Sequence, residues 1–126
     1  ESAGLQVSGR LPASEGSKAV AMSHGLSLEL FTSQPVSPDL LADTQWVIGM
    51  TRSHAAIFLS RFRGIYGGKV GVLGAPGVDV SLTKSSPMCE EVDDPYGESE
   101  ETYLAAGDQI RRLVLQWAPV FSRIPI

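Results

Sequence analysis

Only one cysteine, Cys89, and two histidines stand among the 126 residues of this chain. A single cysteine excludes an internal disulfide and fits a reducing compartment. His24 and His54 lie far apart. Neither has a second histidine or a carboxylate at helical spacing on its own face, so no metal-ligand cluster is written here. Basic residues are few and scattered, and the net charge is −4, which leaves no electrostatic footprint for nucleic acid or an anionic membrane. No apolar run approaches the roughly 20 residues of a membrane span, and no signal-peptide pattern opens the chain. A Gly-x-Ser-x-Gly nucleophile elbow is also missing, which removes the common serine-hydrolase reading.

What remains is 43 % hydrophobic and 19 % charged, the profile of one globular domain spanning residues 1–126. Helical and strand signals alternate, as in a parallel sheet with crossover helices. Ser2-Ala3-Gly4-Leu5 reads as the tail of a strand, followed by loop-like Ser8-Gly9-Arg10-Leu11-Pro12. Residues 13–24 carry a helical pattern with Gly25 at the left-handed cap position. Ser37-Pro38-Asp39 has the order of a helix start, with Leu40 and Leu41 as its apolar side. Gln45-Trp46-Val47-Ile48-Gly49-Met50 and Lys69-Val70-Gly71-Val72-Leu73 read as strands buried on both faces. Between them Thr51 caps a helix with Ile57, Phe58 and Phe62 inward. Ser99 caps a last helix to about residue 117, with Tyr103, Ala106, Ile110, Leu113, Val114 and Trp117 on its core face and Pro119 as its stop.

Two glycine-rich stretches imitate phosphate sites. Gly64-x-x-Gly67-Gly68-Lys69 follows a helix and lacks the Ser or Thr after its lysine, so it is a turn. Gly74-Ala75-Pro76-Gly77 opens no helix. Cys89 is followed by Glu90, Glu91, Asp93 and Asp94, the opposite of the cationic surroundings that activate a thiolate. The long segment after the second strand ends in Asp94-Pro95-Tyr96-Gly97. Proline narrows the conformations of the residue before it, so Asp94 is aimed in few directions. An aimed carboxylate serves as a general acid, and Asp-Pro also simply opens turns; the residues alone leave both readings open. Ligands of parallel sheets bind beyond the carboxyl ends of the strands, where this loop is expected to return.

In this order and spacing the motifs resemble the low-molecular-weight protein tyrosine phosphatases, including their bacterial tyrosine- and arginine-phosphatase branches. The resemblance is carried by Ser2-Ala3-Gly4-Leu5, Pro12-Ala13-Ser14 leading to Gly25-Leu26-Ser27-Leu28, Ser33-Gln34-Pro35-Val36 with Leu40-Leu41, Val47-Ile48-Gly49-Met50-Thr51-Arg52-Ser53-His54, Val72-Leu73-Gly74 and above all Asp94-Pro95-Tyr96-Gly97. It implies a three-layer α/β/α fold on a small parallel sheet of four strands and a cytoplasmic, cofactor-free phosphomonoester hydrolase. The substrate implied is a phosphotyrosine or phosphoarginine protein, or a small phosphate ester. By the same resemblance a Cys-x5-Arg loop supplies the nucleophile and cradles phosphate. Asp94 protonates the leaving group, Tyr96 walls the substrate, and Pro95 with residues 77–93 sets their positions.

The departures from the family pattern are equally definite. Its first strand, Cys-x5-Arg loop and first helix would precede Ser2, and six positions after Cys89 stands Pro95 rather than arginine. Ser85-Ser86-Pro87-Met88 echoes the run after the family loop without its cysteine and arginine, and Phe31 and Gln34 replace a frequent histidine and arginine. The expectation is a phosphatase domain lacking its N-terminal β-loop-α unit, a trimmed or partial product beginning at Glu1, and inactive alone. The alternative is a non-catalytic relative that binds phosphate or protein.

Overall fold

Alternation along the strands decides the layering. The computed structural model describes residues 3–5, 12–28, 30, 32–82 and 89–122. Readings placed on Ser2, residues 8–11, Phe31 and Ser85-Ser86-Pro87-Met88 lie outside the described residues. Strands β1 (Trp46–Gly49) and β2 (Lys69–Val72) pair in parallel, with Trp46 opposite Lys69 and Gly49 opposite Val72. Successive strand side chains point to opposite faces. Val70 and Val72, with Val47, pack against Leu41, Ala55 and Phe58 on one face. Leu73, Trp46 and Ile48 pack against Leu113 and Trp117 on the other. The α/β fold is therefore layered helix, sheet, helix.

Each helix begins at a hydroxyl. Ser14, Ser37, Thr51 and Ser99 accept the N–H three residues on, at 3.2, 3.3, 3.2 and 3.3 Å. They open α1 (Glu15–Ser23), the single turn α2 (Pro38–Leu41), α3 (Arg52–Phe62) and α4 (Glu100–Phe121). Such caps satisfy amide donors that have no partner inside the helix. Helix α1 ends at Gly25, whose φ of 74° lets Leu26 N–H return to the Ala21 carbonyl at 2.8 Å. α1 and α4 pack together so closely that a Cβ on Gly107 would lie 2.3 Å from Val20.

Four expectations change. Helix α4 does not stop at Pro119 but runs to Phe121. Proline there removes one amide donor in the last turn, while beyond it Val120 packs on the Trp117 cluster and Phe121 stacks on Trp117 at 5.6 Å. Val114 is 47 % exposed, because the core line of α4 runs through Leu113 and Trp117 and leaves it at the margin. Ile57 is 37 % exposed, facing a cavity instead of the core. β1 is only half-buried throughout rather than buried on both faces, and among the described residues the small parallel sheet holds two strands. Of the expected strand tail, residues 3–5 contribute a single parallel bridge, Gly4 with Pro35.

Trp117, fully buried, donates from Nε1 to the Leu73 carbonyl at 2.8 Å and meets Trp46 edge-on at 5.0 Å. Trp117→Phe keeps most of the packing but orphans that carbonyl, an expected loss of about 1–3 kcal/mol. Trp117→Ala adds a cavity, an expected loss of about 3–5 kcal/mol. Urea unfolding followed through Trp46 fluorescence separates the two, and a Trp117→Phe variant as stable as the parent would show that the hydrogen bond contributes nothing.

Candidate active site

The segment before Asp94 is bound at the carboxyl end of the sheet. Val92 N–H donates to the Met50 carbonyl at 3.1 Å, immediately past β1, and the Val92 side chain is buried beside Leu73 and Trp117. The chain crosses the end of β2 at a place where no side chain fits: a Cβ on Gly74 would lie 1.8 Å from the Glu90 carbonyl oxygen. Residues 93–98 then arch to the Ser99 cap of α4.

Within the arch, Asp94 is exposed and its Oδ1 accepts Tyr96 N–H at 3.0 Å. The Pro95 carbonyl accepts Glu98 N–H at 2.9 Å, and Gly97 turns the chain with φ of 82°. Pro95 is half-buried, and Tyr96 is 78 % exposed with its ring free to meet a ligand. The structure thus brings Asp94, Pro95 and Tyr96 together on one short turn beyond β1.

Two acids that the sequence offered only as neighbours of Cys89 anchor this loop. Glu91 Oε1 accepts from Arg52 Nε at 2.6 Å and from Arg52 N–H, the first amide of α3, at 3.2 Å. Glu90 Oε2 accepts from Gln109 Nε2 at 2.7 Å and pairs with the Arg112 guanidinium. The Arg52 side-chain hydrogen bond, then its backbone amide, holds the Glu91 carboxyl below the usual glutamate range. The hydrogen bond from Gln109, then that from Arg112, does the same for Glu90. The Arg52 guanidinium is correspondingly raised by its hydrogen bond to Glu91. No local sequence signal marks these pairs, since the partners are 39 and 22 residues apart.

Cys89 is half-buried and packs against the Phe58 cluster. His24 caps α1 and faces Asp108 of α4 at 3.6 Å, whereas His54, exposed in the first turn of α3, lines the cavity. Among the described residues no cluster of three metal-ligating side chains occurs, and no helix is long and apolar enough to cross a membrane.

That cavity, about 770 Å³, lies between Gly4 and Leu5 on one wall and β1 on the other, with Phe58 of α3 behind. Lys69 and Leu73 N–H donate to Gln45 and Gly49, each at 2.9 Å, so the odd-numbered residues of β1 face β2. The backbone groups of Trp46 and Ile48 therefore point to the opposite edge, toward the cavity. Gly4 uses its own backbone on Gln34 and Val36, at 2.8 and 3.1 Å, so Ala3 and Leu5 point away from that pair. The Leu5 carbonyl accepts from Arg61 Nη1 at 2.6 Å.

Comparison with known proteins follows this geometry. A family model described as low molecular weight phosphotyrosine protein phosphatase matches residues 1–124. Among solved structures, the chain is similar to a YwlE mutant from Bacillus subtilis, with 24 % identity and a TM-score of 0.77 over 96 % of this chain and 75 % of that one. It is similar to the YwlE arginine phosphatase from Geobacillus stearothermophilus, with 21 % identity and a TM-score of 0.78 over 97 % and 73 %. It is also similar to a protein tyrosine phosphatase, with 26 % identity and a TM-score of 0.74 over 100 % and 78 %. The chain spans about three quarters of each of these structures. Comparison with curated proteins gives no match.

The depressed Glu90 and Glu91 values set a pH dependence. A carboxyl whose folded value lies below its unfolded one contributes stability above the unfolded value, and that contribution disappears as pH falls through the folded one. Thermal midpoints should therefore drop more steeply below about pH 4.5, the ordinary glutamate value, in the parent chain than in Glu90→Gln/Glu91→Gln. Parallel curves would show that the two pairs carry no linked stability.

Proposed function

This chain belongs to the low molecular weight phosphotyrosine protein phosphatase family, and from that premise we propose that Asp94 is the general acid of a phosphomonoester hydrolase. The thiolate of the family's Cys-x5-Arg loop bonds to phosphorus as the bond from phosphorus to the leaving oxygen (the leaving guanidine nitrogen of phosphoarginine) breaks. The Asp94 carboxyl gives that leaving atom its proton, and Tyr96 stands against the substrate ring or side chain. The observation that carries the reading is the Asp94-Pro95-Tyr96 turn held beyond the carboxyl end of β1 by the Val92–Met50 hydrogen bond. A phosphorylated protein bearing phosphotyrosine or phosphoarginine, or a small phosphate ester, is the substrate class. The single cysteine supports a cytoplasmic setting.

In this reading residues 1–126 form one domain without its N-terminal β-loop-α unit, and the chain is inactive alone. Two features support that. Cys89, its single thiol, sits against the Phe58 cluster, in a segment whose neighbouring acids are already engaged by arginines. The cavity beside β1 is bounded by strand backbone whose ladder groups point into it, which leaves room for a further parallel strand. A second reading, a module that binds phosphate or acidic partners without turnover, is favoured by the open presentation of Asp94 and Tyr96 with no thiol among their described contacts.

With p-nitrophenyl phosphate the chain is expected to show no turnover above background. Turnover on the order of 1 s⁻¹ or faster, lost in Asp94→Asn and kept in Cys89→Ser, would place a nucleophile elsewhere in the chain and overturn the inactivity. Calorimetric titration with inorganic phosphate or phosphotyrosine decides the second reading. A folded, monodisperse sample that binds neither removes it.

A further inference from the structure

We propose that Glu90 and Glu91 are positioning residues for Asp94, forming a two-sided clamp that fixes the direction in which the 93–98 arch leaves the sheet. The proposal rests on the reading of Asp94 as the general acid.

Adjacent residues of an extended segment point to opposite sides, and these two acids use that geometry. Glu91 turns to α3, where one carboxylate oxygen takes both the Arg52 guanidinium and the first amide of the helix. An amide at that position has no intrahelical partner, and the helix dipole favours an anion there. Glu90 turns to the middle of α4, where Gln109 and Arg112 both reach its Oε2. Gln109 Nε2 also donates to the Glu91 carbonyl at 3.0 Å, so one amide group holds the side chain of the first acid and the backbone of the second. Val92 follows directly, with its amide on Met50 and its side chain buried. The arch therefore starts from a foot tied to α3, to α4 and to the end of β1 within three residues.

Past Val92 the arch's hydrogen bonds among the described residues are local: Tyr96 N–H on Asp94 Oδ1, and Glu98 N–H on the Pro95 carbonyl. These shape the turn but do not orient it relative to the sheet. Orientation comes from the two feet, the 90–92 segment and the Ser99 cap of α4. Exposed ion pairs add little to global stability, so two of them side by side make poor general stabilisers. Aiming a carboxyl is a different demand. Proton transfer needs heavy atoms within about 2.6–3.2 Å, and a small misplacement of a reacting group is expensive in rate.

The test is backbone ¹⁵N relaxation of the whole chain, with thermal midpoints measured alongside. In Arg52→Ala/Arg112→Ala, order parameters at Asp94, Tyr96 and Gly97 are expected to fall from about 0.85 to below about 0.6. The centres of α3 and α4 should keep their values, and the midpoint should fall only by the small contribution of two exposed ion pairs. Arg52→Glu combined with Glu91→Arg should recover order at the arch relative to Arg52→Glu alone. Arch amides as ordered in the double alanine variant as in the parent, or already disordered in the parent, overturn the clamp. So does a loss of order spread evenly over β1 and α4, which a merely structural role would produce. None of these readouts involves turnover, so the hold on the arch is measured whether or not Asp94 is the general acid, and its failure leaves that assignment untouched.

Discussion

A single buried hydrogen bond, from the Trp117 indole to the Leu73 carbonyl, ties the longest helix to the end of β2. Much of the remaining structure depends on where that helix lies. Gly71 has to be small because a Cβ there would come within 2.8 Å of the Trp117 ring. Trp46 closes on the same ring from β1, and Leu113 one turn earlier completes the contact with Leu73 and Val92. Once Trp117 is seated, the preceding turns of α4 bring Arg112 and Gln109 beside the acid segment. Its N-terminus then falls where the Asp94 arch has to end.

The consequence for function is a division of labour. The sheet and its two helical layers hold Val92, Glu90 and Glu91, and these hold the short turn of Asp94, Pro95 and Tyr96 outside the core. That arrangement is common where a rigid scaffold presents reactive side chains on a connecting segment. The cavity on the edge of β1 that is unpaired among the described residues has a different character, since its walls are strand backbone and mostly apolar side chains, with Thr44, Ser53 and His54 among them. An unpaired strand edge invites pairing by another segment.

Local features were readable before any fold was known. Ser37, Thr51 and Ser99 announce three helix starts because capping is settled by residues three positions apart. Gly25 announces one helix end for the same reason. The valines of β2 and the Trp117 face of α4 followed from periodicity. Pro119 misled because local helix-breaking was outweighed by packing of Val120 and Phe121 on the buried indole. Val114 and Ile57 misled because periodicity marks an apolar stripe but not which margin of it meets a neighbour.

The order of motifs along the chain was enough by itself to identify the family and to single out Asp94, Pro95 and Tyr96, because those signals reside in contiguous residues. What only the tertiary structure decided is how the Asp94 turn is held. Arg52 and Glu91, and likewise Arg112 and Glu90, meet across 39 and 22 residues. Nothing in composition, spacing or propensity pairs one arginine with one glutamate at such a distance. Those pairings exist because two helices packed on opposite faces of a sheet leave their polar side chains at its carboxyl end, where the loop between them has to pass.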